Sequence, residues 1–172
     1  MADGDKLNRL RQLLQQSTEQ DQAKLARFEP YLSGGDAERG RAVFFGGKVA
    51  CSVCHAVGSE GGKIGPDLTK IGAIRSGRDL LESILLPSST FAQGYDSYQI
   101  TTTDGREAAG IIARQNADAV ILRDASSAET QFHRNQIKEL KRLTTSIMPE
   151  GLETGLTADE FRDLLAFLQS LK

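Results

Sequence analysis

Leu7, Leu10 and Leu14 recur at helical spacing, and Leu25 and Phe28 resume the pattern after a polar stretch. The spacing predicts one or two helices over residues 5–29, stopped by Pro30. "SGGD" (33–36) then reads as a linker that ends in a helix cap. Asp36 is placed to accept from the free amides of a helix running from Ala37 to about Phe45, which Gly46-Gly47 ends. Ser76 and Asp79 form an N-terminal capping pair for a helix over about 77–86, before Pro87. The last helical pattern lies at the end of the chain. Thr157 and Glu160 make a capping box, and Phe161, Leu164, Leu165 and Leu168 form an apolar stripe.

Between these helices the texture changes. From Tyr95 to Leu143 the chain is rich in Thr, Ile and Val. Asp104-Gly105 is a hairpin turn, with weaker turns near Asn116-Ala117 and Ala125-Ser126-Ser127. Four or five short antiparallel strands fit this segment, as a small barrel or a curled sheet. Helices therefore bracket a β-rich insert.

Composition narrows the reading. With 21 basic and 23 acidic residues the net charge is -2, so bulk charge gives no reason to expect nucleic acid. No window approaches membrane-spanning length, and the opening "MADGDKLNRL" has no apolar signal region. The expectation is either a cytoplasmic protein or a piece of a longer exported one. Tryptophan is absent and aromatics are 6%, a modest apolar supply that a bound group could supplement.

The candidate chemistry sits in "CSVCH" (51–55), which holds both cysteines and one of the two histidines. A structural zinc site wants four ligands; here only His133 remains, and three ligands within five residues strain a tetrahedron. Thiol–disulfide exchange usually places the pair after a strand in a βαβ pattern, whereas this pair follows a helix. Cys-x-x-Cys-His uses all three residues, as the attachment signature of c-type haem. Two thioether anchors, Cys51 and Cys54, would then leave the imidazole of His55 under the iron.

The chain resembles class I cytochromes c in "GDAERGRAVF" (35–44), "CSVCH", "GPDL" (65–68), "SIMPEGL" (146–152) and the terminal helix over 157–171. Over 36–172 it looks closest to the haem-binding C-terminal domain of large multidomain proteins of Planctomycetes and Verrucomicrobia, where that domain follows a dehydrogenase-like propeller or helical repeats. The resemblance implies one covalent haem c, His55 as the proximal ligand, and the Pro66 carbonyl accepting from the imidazole and fixing its tautomer. It implies Met148 as the second axial ligand; the only other methionine is Met1, and His133 is the runner-up. His55 and Met148 lie 93 residues apart, wider than in plain class I cytochromes, and the β-rich segment accounts for most of the excess.

The expected architecture is a mainly α cytochrome c fold over 36–172 with a barrel-like antiparallel insertion at about 93–143, preceded by a helical extension and linker over 1–35. Gly40 and Phe44 are expected to cross the last helix near Phe161 and Leu165. The implied function is one-electron transfer, not catalysis, from a dehydrogenase domain or protein to a downstream acceptor, in the periplasm or another exported compartment. Two alternatives stay open. One is a five-coordinate haem sensor or peroxidase-like enzyme. In the other the β-module is an interaction or RNA-binding barrel carrying Arg134, Lys138, Lys141 and Arg142.

Overall fold

The computed structural model describes residues 2–172, with side chains from Lys6 onward. A single helix, α1 (Ala2–Phe28), leads into a 3-10 turn, Glu29–Leu32. Pro30 sits at the start of that turn, where its missing N–H and fixed φ are tolerated. Only the end of α1 enters the core: Leu25 is buried and Phe28 is half-buried, while Leu7, Leu10, Leu13 and Leu14 are exposed.

The centre of the fold is the crossing of α2 (Ala37–Phe45) with α6 (Ala158–Ser170). Asp36 caps α2 by accepting from Arg39 N at 2.9 Å. A Cβ on Gly40 would overlap the Asp163 carbonyl, so glycine is what lets the two backbones approach. Gly40 therefore faces Asp163 and Phe167, not Phe161 and Leu165 as expected; Phe44 meets Phe167 with ring centroids 5.5 Å apart. The cause is that α6 is buried on two flanks. Phe161 turns toward α1, edge-on to Phe28 at 5.1 Å, which leaves the 163/167 flank for α2. Helix α5 (Gly77–Leu85) starts at the Ser76/Asp79 capping box and buries Leu80, Leu81, Ile84 and Leu85 in the same core.

Two short helices, α3 (Cys51–Cys54) and α4 (Ile71–Ile74), flank a two-stranded ladder of β1 (Ala56–Val57) and β2 (Glu60–Gly61). The β-rich segment forms five strands: β3 (Ser97–Thr102), β4 (Glu107–Gln115), β5 (Ala119–Arg123), β6 (Glu129–His133) and β7 (Ile137–Arg142). All neighbours are antiparallel, in the order β6-β5-β4-β3-β7. Gly105, at φ 85°, makes the first hairpin. Asn116 Oδ1 accepts from Asp118 N and Ala119 N in the second. Ile100, Val120, Leu122 and Phe132 form a separate small core.

The sheet is not a closed barrel, which corrects the expectation. Its outer strands β6 and β7 share no ladder; each pairs on one side only. It is nonetheless curled. Strands spaced about 4.8 Å apart would put the edges of a flat five-stranded sheet about 19 Å apart. The 3-10 turn Arg134–Gln136, which joins β6 directly to β7, reaches about 14 Å at most.

Because β3 pairs with β7, the module's two ends leave side by side, with Tyr98 opposite Arg142. The flanking segments meet there: Ser146 N donates to Ser88 Oγ at 3.1 Å. A second tie runs from Arg123 Nη1 to the Lys63 carbonyl at 2.9 Å, joining the sheet to the loop after the cysteine motif.

Candidate functional site

The cysteine motif is one helical turn, entered from Ala50 in the left-handed region (φ 50°) and closed by His55 N donating to Cys51 O at 2.9 Å. The glycine-rich loop after the motif, "GSEGGKIGPDL" (58–68), folds back over this turn. Gly62 N donates to Ser52 O at 2.8 Å and Gly65 N to Cys54 O at 2.8 Å. A Cβ on Gly65 would lie 2.5 Å from His55 Cε1 and 2.7 Å from Nδ1, so the imidazole lies against bare backbone.

The ring is held from one side. His55 Nδ1 is 2.8 Å from the Pro66 carbonyl. A carbonyl only accepts, so Nδ1 carries the proton and Nε2 keeps a free lone pair. Burial pushes the His55 pKa down and outweighs the opposing Pro66 bond, which favours the neutral, ligating form. Burial pushes the Cys51 thiol up to about 11 and raises Cys54 as well. Thiol exchange chemistry calls for the reverse, a depressed thiol pKa.

Cys51, His55 and Met148 line one cleft, walled by apolar side chains including Phe44, Leu68, Ile84 and Leu164. Met148 sits in a loop fixed by its own amide, which donates to Ser146 Oγ at 3.1 Å, and by the Ser146–Ser88 bond. The structure thus brings Cys51, His55 and Met148 to one surface, with Pro66 behind the ring. His133 lies elsewhere, exposed at the end of β6. Among the described residues, no group of three or more His, Cys, Asp or Glu side chains is placed to hold a metal ion. The basic run is partly neutralised within the module. Arg142 pairs with Asp96 at 2.5 Å, and Arg134 donates to Gln115 and to the Asn116 carbonyl.

A wider cavity, about 600 Å³, opens between α1 and the start of α6, but it contains neither cysteine nor histidine. Cys51, His55 and Met148 line the narrower cleft. Two ion pairs, one at the α2–α6 crossing and one on the cleft wall, were not legible as contacts in the sequence. Asp163, buried in α6, accepts from Arg39 Nε at 2.7 Å, Arg39 Nη2 at 3.0 Å and Asp36 N at 2.7 Å. Glu153, on the cleft wall, pairs with Lys24 at 2.8 Å. Neither carries a signal in the sequence: Asp163 stands off the 161/164/165/168 stripe of α6, and Lys24 and Glu153 lie at opposite ends of the chain.

A profile of the family described as "Cytochrome c" matches residues 37–172. The chain belongs to the cytochrome c family. A "Cytochrome c-553-like" protein of Synechocystis sp. (strain ATCC 27184 / PCC 6803 / Kazusa) is 36% identical over 63 residues, a match that spans 34% of this chain and 56% of that protein. Membership implies covalently bound haem c. The site residues fit that group: an apolar cleft, two neutral thiols on one turn, and an imidazole whose tautomer leaves Nε2 for iron. No helix among the described residues is long and apolar enough to cross a membrane.

Proposed function

We propose that this cytochrome is a one-electron carrier in which Cys51 and Cys54 anchor the haem and His55 and Met148 are its axial ligands. The observation that carries the reading is the His55–Pro66 bond, which fixes the imidazole in a cleft that Met148 also lines. When bound, haem c supplies reversible one-electron chemistry, and a thioether ligand raises its potential. The chain's own residues do the rest. Gly65 lets the imidazole lie flat, Pro66 holds its proton on Nδ1, and the apolar walls exclude water. The Ser88–Ser146 bond and Pro149 hold the methionine loop. With His55 and Met148 both holding the iron, no coordination site would be left for a substrate or gas, which favours a carrier over a sensor or peroxidase.

The partner is a dehydrogenase domain or protein that delivers electrons, with a separate acceptor downstream, as the resemblance to haem domains of the Planctomycetes and Verrucomicrobia multidomain proteins supports. The compartment is periplasmic or otherwise exported, where haem is attached to such motifs. The haem domain runs over about 36–172, with the end of the N-terminal helix packed on it, and the module at about 93–143 sits beside the haem as a docking face.

The test is Met148→Ala. The parent, reduced, should show a six-coordinate spectrum and resist carbon monoxide. The variant should bind it readily and have a lower potential. An unchanged spectrum and potential would move the second ligand to His133 or to water.

A further inference from the structure

Helix α1 lies outside the region matched by the family profile, yet its last two turns touch the methionine loop's far end. Lys24 Nζ bonds two other elements at once. It donates to the Leu85 carbonyl at 2.9 Å, one of the carbonyls that the C-terminus of α5 leaves unpaired, and pairs with Glu153 Oε1 at 2.8 Å. Glu153 belongs to the 3-10 turn Leu152–Gly155, five residues after Met148, and its side chain is 7% exposed. Its second oxygen, Oε2, is buried without a partner. Around the pair, α1 and this turn both line the 600 Å³ cavity. Glu153 also lines the cleft that holds Cys51, His55 and Met148.

We infer that Lys24 is a positioning residue for the axial methionine: through Glu153 it ties the Met148 loop to α1 and α5, making the N-terminal helix part of the haem site. The inference rests on the reading of Met148 as a ligand. A buried carboxylate with one oxygen already unpartnered depends on its single cation, because an uncompensated buried charge is expelled toward water. Loss of Lys24 therefore frees the turn Leu152–Gly155, and the loop ahead of it follows. The Ser88–Ser146 bond holds the loop's other end, so the methionine is secured from both sides, by the turn after α5 through Ser88 and by α1 through Lys24.

The experiment uses the haem-loaded protein with Lys24→Leu, and with Lys24→Leu combined with Glu153→Leu. Two readouts are taken: the rate of carbon monoxide binding to the reduced protein, and amide hydrogen exchange over 146–156 relative to the core amide of Phe161. Lys24→Leu should bind carbon monoxide at least tenfold faster and exchange faster over 146–156, with Phe161 less affected. The double variant should regain thermal stability while both readouts stay fast. Parent-like rates in Lys24→Leu overturn the inference. Parent-like rates in the double variant overturn it too, since the pair would then only avoid a buried unpaired charge. Met148→Ala is the control for the ligand reading. If it leaves carbon monoxide binding unchanged, that reading fails, and exchange over 146–156 alone decides whether Lys24 positions the loop.

Discussion

The backbone of Gly65 lies against the face of the His55 ring while the next residue, Pro66, accepts a hydrogen bond from that ring's Nδ1 at 2.8 Å. Two consecutive residues thus set the imidazole's plane and its tautomer. Gly65→Ala places a methyl 2.5 Å from Cε1, where ring and loop must separate. Overpacking of this kind costs about 1–3 kcal/mol. Chemical denaturation of the haem-loaded protein should show that loss, together with a changed ferric spectrum as the ring tilts. An unaltered midpoint would mean the loop yields freely.

Gly40→Ala should be more damaging, because its Cβ would overlap the backbone carbonyl of Asp163, not the end of a flexible side chain. Parting α2 from α6 also disturbs the Phe44–Phe167 contact and the Arg39–Asp163 pair. A loss of about 3 kcal/mol or more is expected, the upper end for an overpacked core. Thermal unfolding, compared with Gly47→Ala as a control in open space, checks it.

Asp163 makes the fold sensitive to acid. The Arg39 guanidinium, with Asp36 N, holds its carboxyl below the ordinary carboxylate value. A carboxylate whose pKa is lower in the folded state contributes stability above its unfolded value, about 3.9, and that contribution is lost as pH falls through the folded value. Unfolding midpoints should therefore drop below about pH 4 in the parent. In Asp163→Asn the neutral-pH midpoint should be lower already, and the acid-side slope should be shallower. Parallel pH profiles for the two proteins would assign the acid sensitivity elsewhere.

Replacing 93–143 with a short Gly/Ser bridge tests the module as a docking face. Its end strands pair with each other, and Ser88 already meets Ser146, so the flanking chain should close at little cost. The expected result is a retained His/Met spectrum with slower electron transfer from the donor. Loss of the methionine band would instead make the module a brace for the loop. Unchanged transfer rates would remove its docking role.

Local signals carried most of what the sequence disclosed. Capping pairs at Ser76/Asp79 and Thr157/Glu160 act within one turn, so the starts of α5 and α6 were readable from four residues each. The Asp104-Gly105 turn was readable because only a few residues tolerate its backbone. The failures were all long-range. Whether the sheet closes depends on how strongly five strands curl, which no single strand encodes. That Gly40 meets Asp163, not Phe161, depended on α1 claiming the other flank of α6 through Phe28. The cysteine motif pointed to Cys51, Cys54 and His55, whereas Lys24 was invisible, as an ordinary surface lysine on a polar helix whose partner lies at the opposite end of the chain.

The most direct test of the central claim is the intact mass of the protein, made with a competent haem-attachment system, then denatured and extracted with acid–acetone. Two thioether bonds survive both steps, so the mass should equal the polypeptide plus one haem. Cys51→Ala with Cys54→Ala should give the bare polypeptide. A parent protein that emerges at its apoprotein mass, or a double variant that keeps its haem, would contradict the assignment of Cys51 and Cys54 as the anchors.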